Sequence, residues 1–270
     1  MLNREEIEEL VKRLTEKGAS LEKPPEHAIY RLKKDKGILT IYKTGSLVFG
    51  GKEARVLKEE VETFYLEKLE KVPKIGCDEA GKGEFIGPLV VACIFADENC
   101  LKELVKLGVK DSKKLKKEKI LELSKNIKKD CRGRVRVLMP KAYNELYEKF
   151  KNVNRLLEAV YMEVLEELIK KYSPKKVVVD KFSNEIEEKL KRKFSGIDFE
   201  VIPKAEKDIV VAAASIVAKA ERLKAMDILS KKLGIKLPEG NINNEKVFKL
   251  IPPRKRKYFL KLHFLVRGEK

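Results

Sequence analysis

The chain contains no tryptophan, no glutamine and only two histidines. It also lacks any uninterrupted apolar run of about eighteen residues, which excludes an ordinary membrane-spanning helix. The opening residues Met1-Leu2-Asn3-Arg4-Glu5-Glu6 have no apolar signal core, so the expected location is the cytoplasm. The four cysteines, Cys77, Cys93, Cys100 and Cys131, show no Cys-x-x-Cys spacing. That pattern indicates neither a zinc site nor a disulfide framework, and reduced thiols are the expectation. The lack of glutamine, with 39% charged residues dominated by Lys and Glu, is a composition shared with heat-adapted proteins. His27, after Pro24-Pro25, reads as structural, and His263 as no more than a polar neighbour of a site. No internal repeat is visible.

What is abundant is positive charge. The net +18 over 270 residues falls wholly on residues 71–270, because residues 1–70 hold 14 basic and 14 acidic side chains. A basic field of this size favours polyanion partners, since neutralising phosphates releases their counterions. A lysine-rich soluble surface would give the same charge, so charge alone does not decide.

Two domains are predicted. Residues 1–70 read as a helix (Ile7, Leu10, Val11, Leu14), three short strands (28–33, 37–43, 46–49) and a second helix (Leu57, Val61, Phe64). A small α+β layer of this kind leaves one sheet face open, with Thr40 and Tyr42 on one side of a strand, for a nucleic-acid groove. Glu70 to Lys74 forms the linker. From Ile75 onward strands and helices alternate: 89–96, 134–139, 176–179 and 199–202 are apolar strands, and 154–171 and 208–229 are long helices. The expected class is α/β, a mixed sheet flanked by helices.

The chemistry concentrates in Asp78-Glu79-Ala80-Gly81-Lys82-Gly83-Glu84. Adjacent carboxylates repel, and at the buried mouth of a strand they are tolerable mainly when a divalent cation lies between them. Gly81 and Gly83 bare the main chain for close approach of a phosphate or sugar, and Lys82 adds a positive charge. Asp180 ends the strand Val177-Val178-Val179, where α/β proteins place active groups, although a lone strand-end Asp is ordinarily a turn former. Glu206 precedes the small-residue run Ala212-Ala213-Ala214-Ser215, whose helix can approach the sheet closely. Alone it would read as an acid complementing a helix dipole. Together these four acids have the number and hardness that a pair of Mg²⁺ or Mn²⁺ ions requires.

These segments, in this order, resemble the signatures of the type 2 ribonucleases H. The resemblance rests on Asp78 to Pro88, Asp111-Ser112-Lys113-Lys114-Leu115, Val179-Asp180, Lys204-Ala205-Glu206 and Ala213 to Lys219. Within that class the chain is similar to ribonuclease HIII. Residues 1–70 match in size and pattern the extension resembling a repeat of the TATA-binding protein. Tyr143 to Leu157, Leu237-Pro238-Glu239-Gly240 and Lys261-Leu262-His263-Phe264 also fit, and the Tyr-Gly-x-x-Thr signature of ribonuclease HII is missing.

The resemblance implies a ribonuclease H-like catalytic domain over 71–270 and a hybrid-binding domain over 1–70. It implies metal binding by Asp78, Glu79, Asp180 and Glu206, where Glu206 stands at a position that is Asp in most HII enzymes. Gly81, Lys82 and Gly83 would read the 2′-hydroxyls, with Asp111, Ser112, Lys113, Ser215 and Lys219 as further substrate or supporting contacts. The implied reaction is cleavage of the RNA strand of RNA/DNA hybrids by two-ion hydrolysis, leaving 3′-hydroxyl and 5′-phosphate ends, with a monomer acting away from membranes. Excision of single ribonucleotides from DNA and a non-catalytic nucleic-acid binder are the rival readings.

Overall fold

A computed structural model describes residues 2–109, 115–240 and 244–265. The chain forms two compact units, Met1–Glu70 and Lys71–Lys270.

In the first unit, α1 (Arg4–Glu16) begins at a capping box in which Asn3 accepts from the Glu6 N–H and Glu6 accepts from the Asn3 N–H. Four antiparallel strands follow, β1 (Ser20–Glu22), β2 (Ala28–Lys34), β3 (Gly37–Tyr42) and β4 (Leu47–Gly50), in that spatial order, and then α2 (Ala54–Lys68). Ile7, Leu10, Leu14, Leu57, Val61 and Phe64 of the helices close over Leu32, Leu39 and Ile41 of the sheet.

The sequence predicts three strands and the structure has four. β1 is a polar three-residue edge with no alternation of its own, ordered by its pairing with Leu32 and its neighbours. On the face away from the helices, Arg31, Thr40 and Val48 stand in register across three strands. Thr40 is nonetheless buried, because a central-strand residue is shielded by neighbours on both sides.

The second unit is built on a five-stranded mixed sheet in the order β7-β6-β5-β8-β9. β5 (Lys74–Ala80), β6 (Leu89–Ala96) and β7 (Arg132–Leu138) are antiparallel, while β8 (Lys176–Asp180) and β9 (Asp198–Ile202) join β5 in parallel. β6 is buried along its whole length, as its unbroken apolar run requires of a strand covered on both faces. Helices α3 (Glu98–Lys106), α4 (Lys117–Asp130) and α8 (Ile209–Leu233) cover one face. Helices α5 (Pro140–Phe150), α6 (Val153–Tyr172) and α7 (Ile186–Lys193) cover the other, packing Leu157, Tyr161, Leu165 and Leu190 over Ile75, Val177 and Val179. A last helix, α9 (Asn244–Leu250), and the segment to Leu265 close one end around Phe85 and Ile86.

The mixed sheet flanked by helices is the class the sequence predicts. Among the described residues no helix is long and apolar enough to cross a membrane.

One approach sets the geometry of this unit. A Cβ on Gly76 of β5 would stand 2.5 Å from the backbone of Val210 and Val211, so only glycine admits the first turn of α8. The same turn is held by Asp208, which caps it through the Val210 and Val211 N–H groups and takes an ion pair from buried Lys74.

The cysteines differ from expectation. Cys77 pairs with Cys93 and Cys100 with Cys131 in two disulfides, leaving none free. Cys77 and Cys93 are direct cross-strand partners of β5 and β6, 4.1 Å apart at Cα. The antiparallel register creates that proximity, and Cys spacing carries no trace of it. Disulfide-rich intracellular proteins are known from heat-adapted organisms, whose charged, glutamine-poor composition this chain shares. Denatured, unreduced protein is therefore expected to show no titratable thiol. Reduction is expected to lower unfolding stability by about 2–4 kcal/mol per bridge in denaturant titrations.

Candidate active site

Strand alternation separates the two adjacent acids. Even-numbered residues of β5 turn toward α8 and odd-numbered ones toward α6, so Asp78 and Glu79 leave the strand on opposite faces. Ser215 of α8 hydrogen-bonds Asp78, and Tyr161 of α6 donates its hydroxyl to Glu79 Oε2 at 2.6 Å. Asp78 Oδ1 also accepts from the Glu79 N–H at 2.8 Å. At the end of β5 the two faces meet, and both carboxylates reach one cavity of about 420 Å³.

The neighbouring strand brings the third acid. Asp180, the last residue of β8, accepts from the Ala205 N–H at 3.1 Å. That bond draws in the short 3₁₀ turn Ala205–Lys207, which follows a left-handed Lys204 and carries Glu206. Asp78, Glu79, Asp180 and Glu206 thus line one cavity, together with Gly81, Ser215 and Lys219.

Lys82 and Gly83 lie outside its wall, and the Lys82 ammonium sits 5.2 Å over the ring of Phe182. Asp111, Ser112 and Lys113 fall outside the described residues. His263 stacks on Tyr147 at 4.4 Å beside a different pocket.

Electrostatically the site is under strain. Burial raises the Asp78 carboxyl to about 7, the Glu79 charge adds to this, and the bonds from Ser215 and the Glu79 N–H oppose it. Burial likewise raises Glu79, against the Tyr161 hydrogen bond and the Lys82 charge. Burial and the Glu79 charge hold the Tyr161 hydroxyl well above its ordinary range, so it remains a donor.

Among the described residues no three acidic, histidine or cysteine side chains form a tight ready-made cluster. What the cavity offers is a shared set of hard oxygen donors. A carboxylate has about four acceptor sites, so the contacts from Ser215, the Glu79 N–H, Tyr161 and the Ala205 N–H leave room for others. Such a set suits Mg²⁺ or Mn²⁺ rather than soft metals.

Sequence reasoning missed several contributors. Tyr161 reads as one more apolar-face residue of a long helix. Glu84, Arg222, Glu239 and Gly240 also line the cavity. Glu84 accepts from buried Arg222 at 2.6 Å and from the Gly240 N–H at 2.7 Å. Glu84, Glu239 and Gly240 sit inside recognisable motifs, whereas nothing in the sequence marks Arg222.

The ribonuclease HII family profile matches residues 75–264. Ribonuclease HIII of Protochlamydia amoebophila is 36% identical over 87% of this chain and 81% of its own length. The crystal structure of Aquifex aeolicus RNase H3 superposes with a TM-score of 0.62 at 29% identity, covering 98% of each chain. Bst-RNase HIII in complex with Mn²⁺ gives 0.67 at 26% identity, covering 98% of this chain and 94% of that one.

The raised Asp78 carboxyl has a thermodynamic consequence. Its folded value of about 7 lies above the 3.8 of an unperturbed group, so the cost of ionising it is absent below the unfolded value, grows through this window and is complete above about 7. In a chelating buffer at pH 8, Asp78→Asn is expected to raise stability by on the order of 2 kcal/mol, with the gain shrinking as pH falls. Denaturant unfolding of both proteins at several pH values measures it.

Proposed function

As the chain belongs to the ribonuclease HII family and falls with its ribonuclease HIII members, we propose that it is an endonuclease that hydrolyses the RNA strand of RNA/DNA hybrids, leaving 5′-phosphate and 3′-hydroxyl ends. The observation that carries this reading is the convergence of Asp78, Glu79, Asp180 and Glu206, from three separate chain segments, on one cavity beside Gly81.

Divalent ions held there, two Mg²⁺ or Mn²⁺, would activate a water for in-line attack and neutralise charge on the departing oxygen. The protein's own groups do the rest. Asp78 and Glu79 are held from opposite layers by Ser215 and Tyr161, and Asp180 fixes the turn that bears Glu206. The Gly81-Lys82-Gly83 segment is the candidate reader of the ribose 2′-hydroxyl, the group that separates RNA from DNA. Lys219 lines the cavity and is the candidate contact for a phosphate. The basic charge of residues 71–270 suits a duplex backbone.

Asp78→Asn is expected to abolish cleavage of an all-RNA/DNA hybrid while hybrid affinity persists. Retained cleavage at saturating Mg²⁺ would exclude the assignment. Parallel mapping on a duplex with one embedded ribonucleotide separates this activity from ribonucleotide excision, the rival that the missing Tyr-Gly-x-x-Thr signature argues against.

Residues 1–70 are proposed to hold the hybrid. Their helices and sheet close their own core, distinct from that of the catalytic unit. Deleting them is expected to raise KM at matched salt by tenfold or more while kcat changes little. Equal KM values would remove that role.

A further inference from the structure

Lys261 is completely buried, near the end of the described chain. A buried ammonium is costly unless every donor is used. Here its Nζ donates to the carbonyls of Gly81 and Glu84, the latter at 2.7 Å. Among the described residues no carboxylate pairs with it, and both of these bonds go to the backbone of one loop.

The rest of its surroundings aim it there. The Lys261 N–H donates to the Phe85 carbonyl at 2.9 Å, Leu260 bridges Ile86, and the Gly87 N–H reaches the Phe259 carbonyl at 3.0 Å. From α5, Asn144 binds the Leu260 carbonyl and the Leu262 N–H, both at 2.9 Å. Burial lowers the Lys261 ammonium to about 7, with the charge of Arg222 adding to this and that of Glu84 opposing it.

The Gly81 carbonyl also accepts from the Glu84 N–H at 3.3 Å, closing a turn. Every peptide bond described is trans, so turning that carbonyl inward to Lys261 directs the Lys82 N–H of the same unit outward. The turn requires glycine. Gly81 has φ +88°, and a Cβ there would stand 2.4 Å from the Pro88 carbonyl and 2.7 Å from Arg222 Nε.

We propose that Lys261 is a positioning residue for the reaction, orienting the Gly81-to-Glu84 turn so that the outward Lys82 N–H meets the substrate ribose. The role rests on reading the cavity as a hybrid nuclease site and adds to it a device in the C-terminal segment.

The test compares Lys261→Met, close in length and apolar, with Lys261→Gln, which keeps two N–H donors without the charge. On an all-RNA/DNA hybrid, Lys261→Met is expected to lower kcat at least tenfold with KM within threefold. Mn²⁺ affinity, measured by calorimetry with the metal alone, should stay within twofold. The Glu84 amide, whose bond to the Gly81 carbonyl closes the turn, should exchange hydrogen at least tenfold faster, while those of α8 keep their protection. Lys261→Gln should recover part of kcat, and it stands in should Lys261→Met fail to fold.

A folded variant with kcat within twofold of the parent overturns the role, as does unchanged exchange of the Glu84 amide. A tenfold loss of Mn²⁺ affinity also overturns it, by assigning the effect to the acids. An inactive parent protein would instead remove the nuclease reading itself.

Discussion

Repulsion between neighbouring buried carboxylates is the constraint around which the second unit is organised. Asp78 and Glu79 are consecutive, so the pleat of β5 sends them to opposite faces, and no single helix can restrain both. The structure answers with one hydroxyl from each layer, Ser215 from α8 and Tyr161 from α6. Neither contact neutralises the charge it holds, and burial still raises both acids. An arrangement that stores this cost at the mouth of a cavity is stabilised once a cation enters, which ties the fold's energetics to its chemistry.

The same logic explains why α8 must lie so close to the sheet. Gly76 admits its first turn, Lys74 and Asp208 fasten that turn, and the Asp180 bond to Ala205 fixes the segment just before it. Glu206 and Ser215 are therefore placed by a chain of contacts running from β5 through β8 to the helix. A larger residue at position 76 would push the helix outward and carry both with it.

Legibility in the sequence followed the range of the interaction. β6 and α8 could be read directly, because an unbroken apolar run and a small-residue helix announce their burial. Asp180 was legible as a strand end. β1 was not, since a polar edge strand is ordered only by its partner. The Cys77–Cys93 bridge is a product of β5/β6 register, and an expectation of free thiols drawn from spacing could not anticipate it. Tyr161 and Glu79 are 82 positions apart, and Lys261 and Gly81 are 180 apart. Side chains that act on distant backbone or carboxylates leave no local pattern.

The charge distribution divides recognition in a way neither unit alone would reveal. Residues 1–70 are neutral overall and spend much of their basic charge internally, with Arg13 on Glu67, Lys17 on Glu60, Lys68 on Glu9 and Arg31 on Glu22. Long-range attraction to a polyanion must then come from residues 71–270, which carry the whole net charge. In the proposed enzyme, contacts from the first unit would act at short range, through the shape and polar groups of a sheet face, and would be comparatively insensitive to salt. In the same enzyme the salt dependence that counterion release imposes would belong to residues 71–270, which carry the whole net charge although their cavity is lined largely by acids.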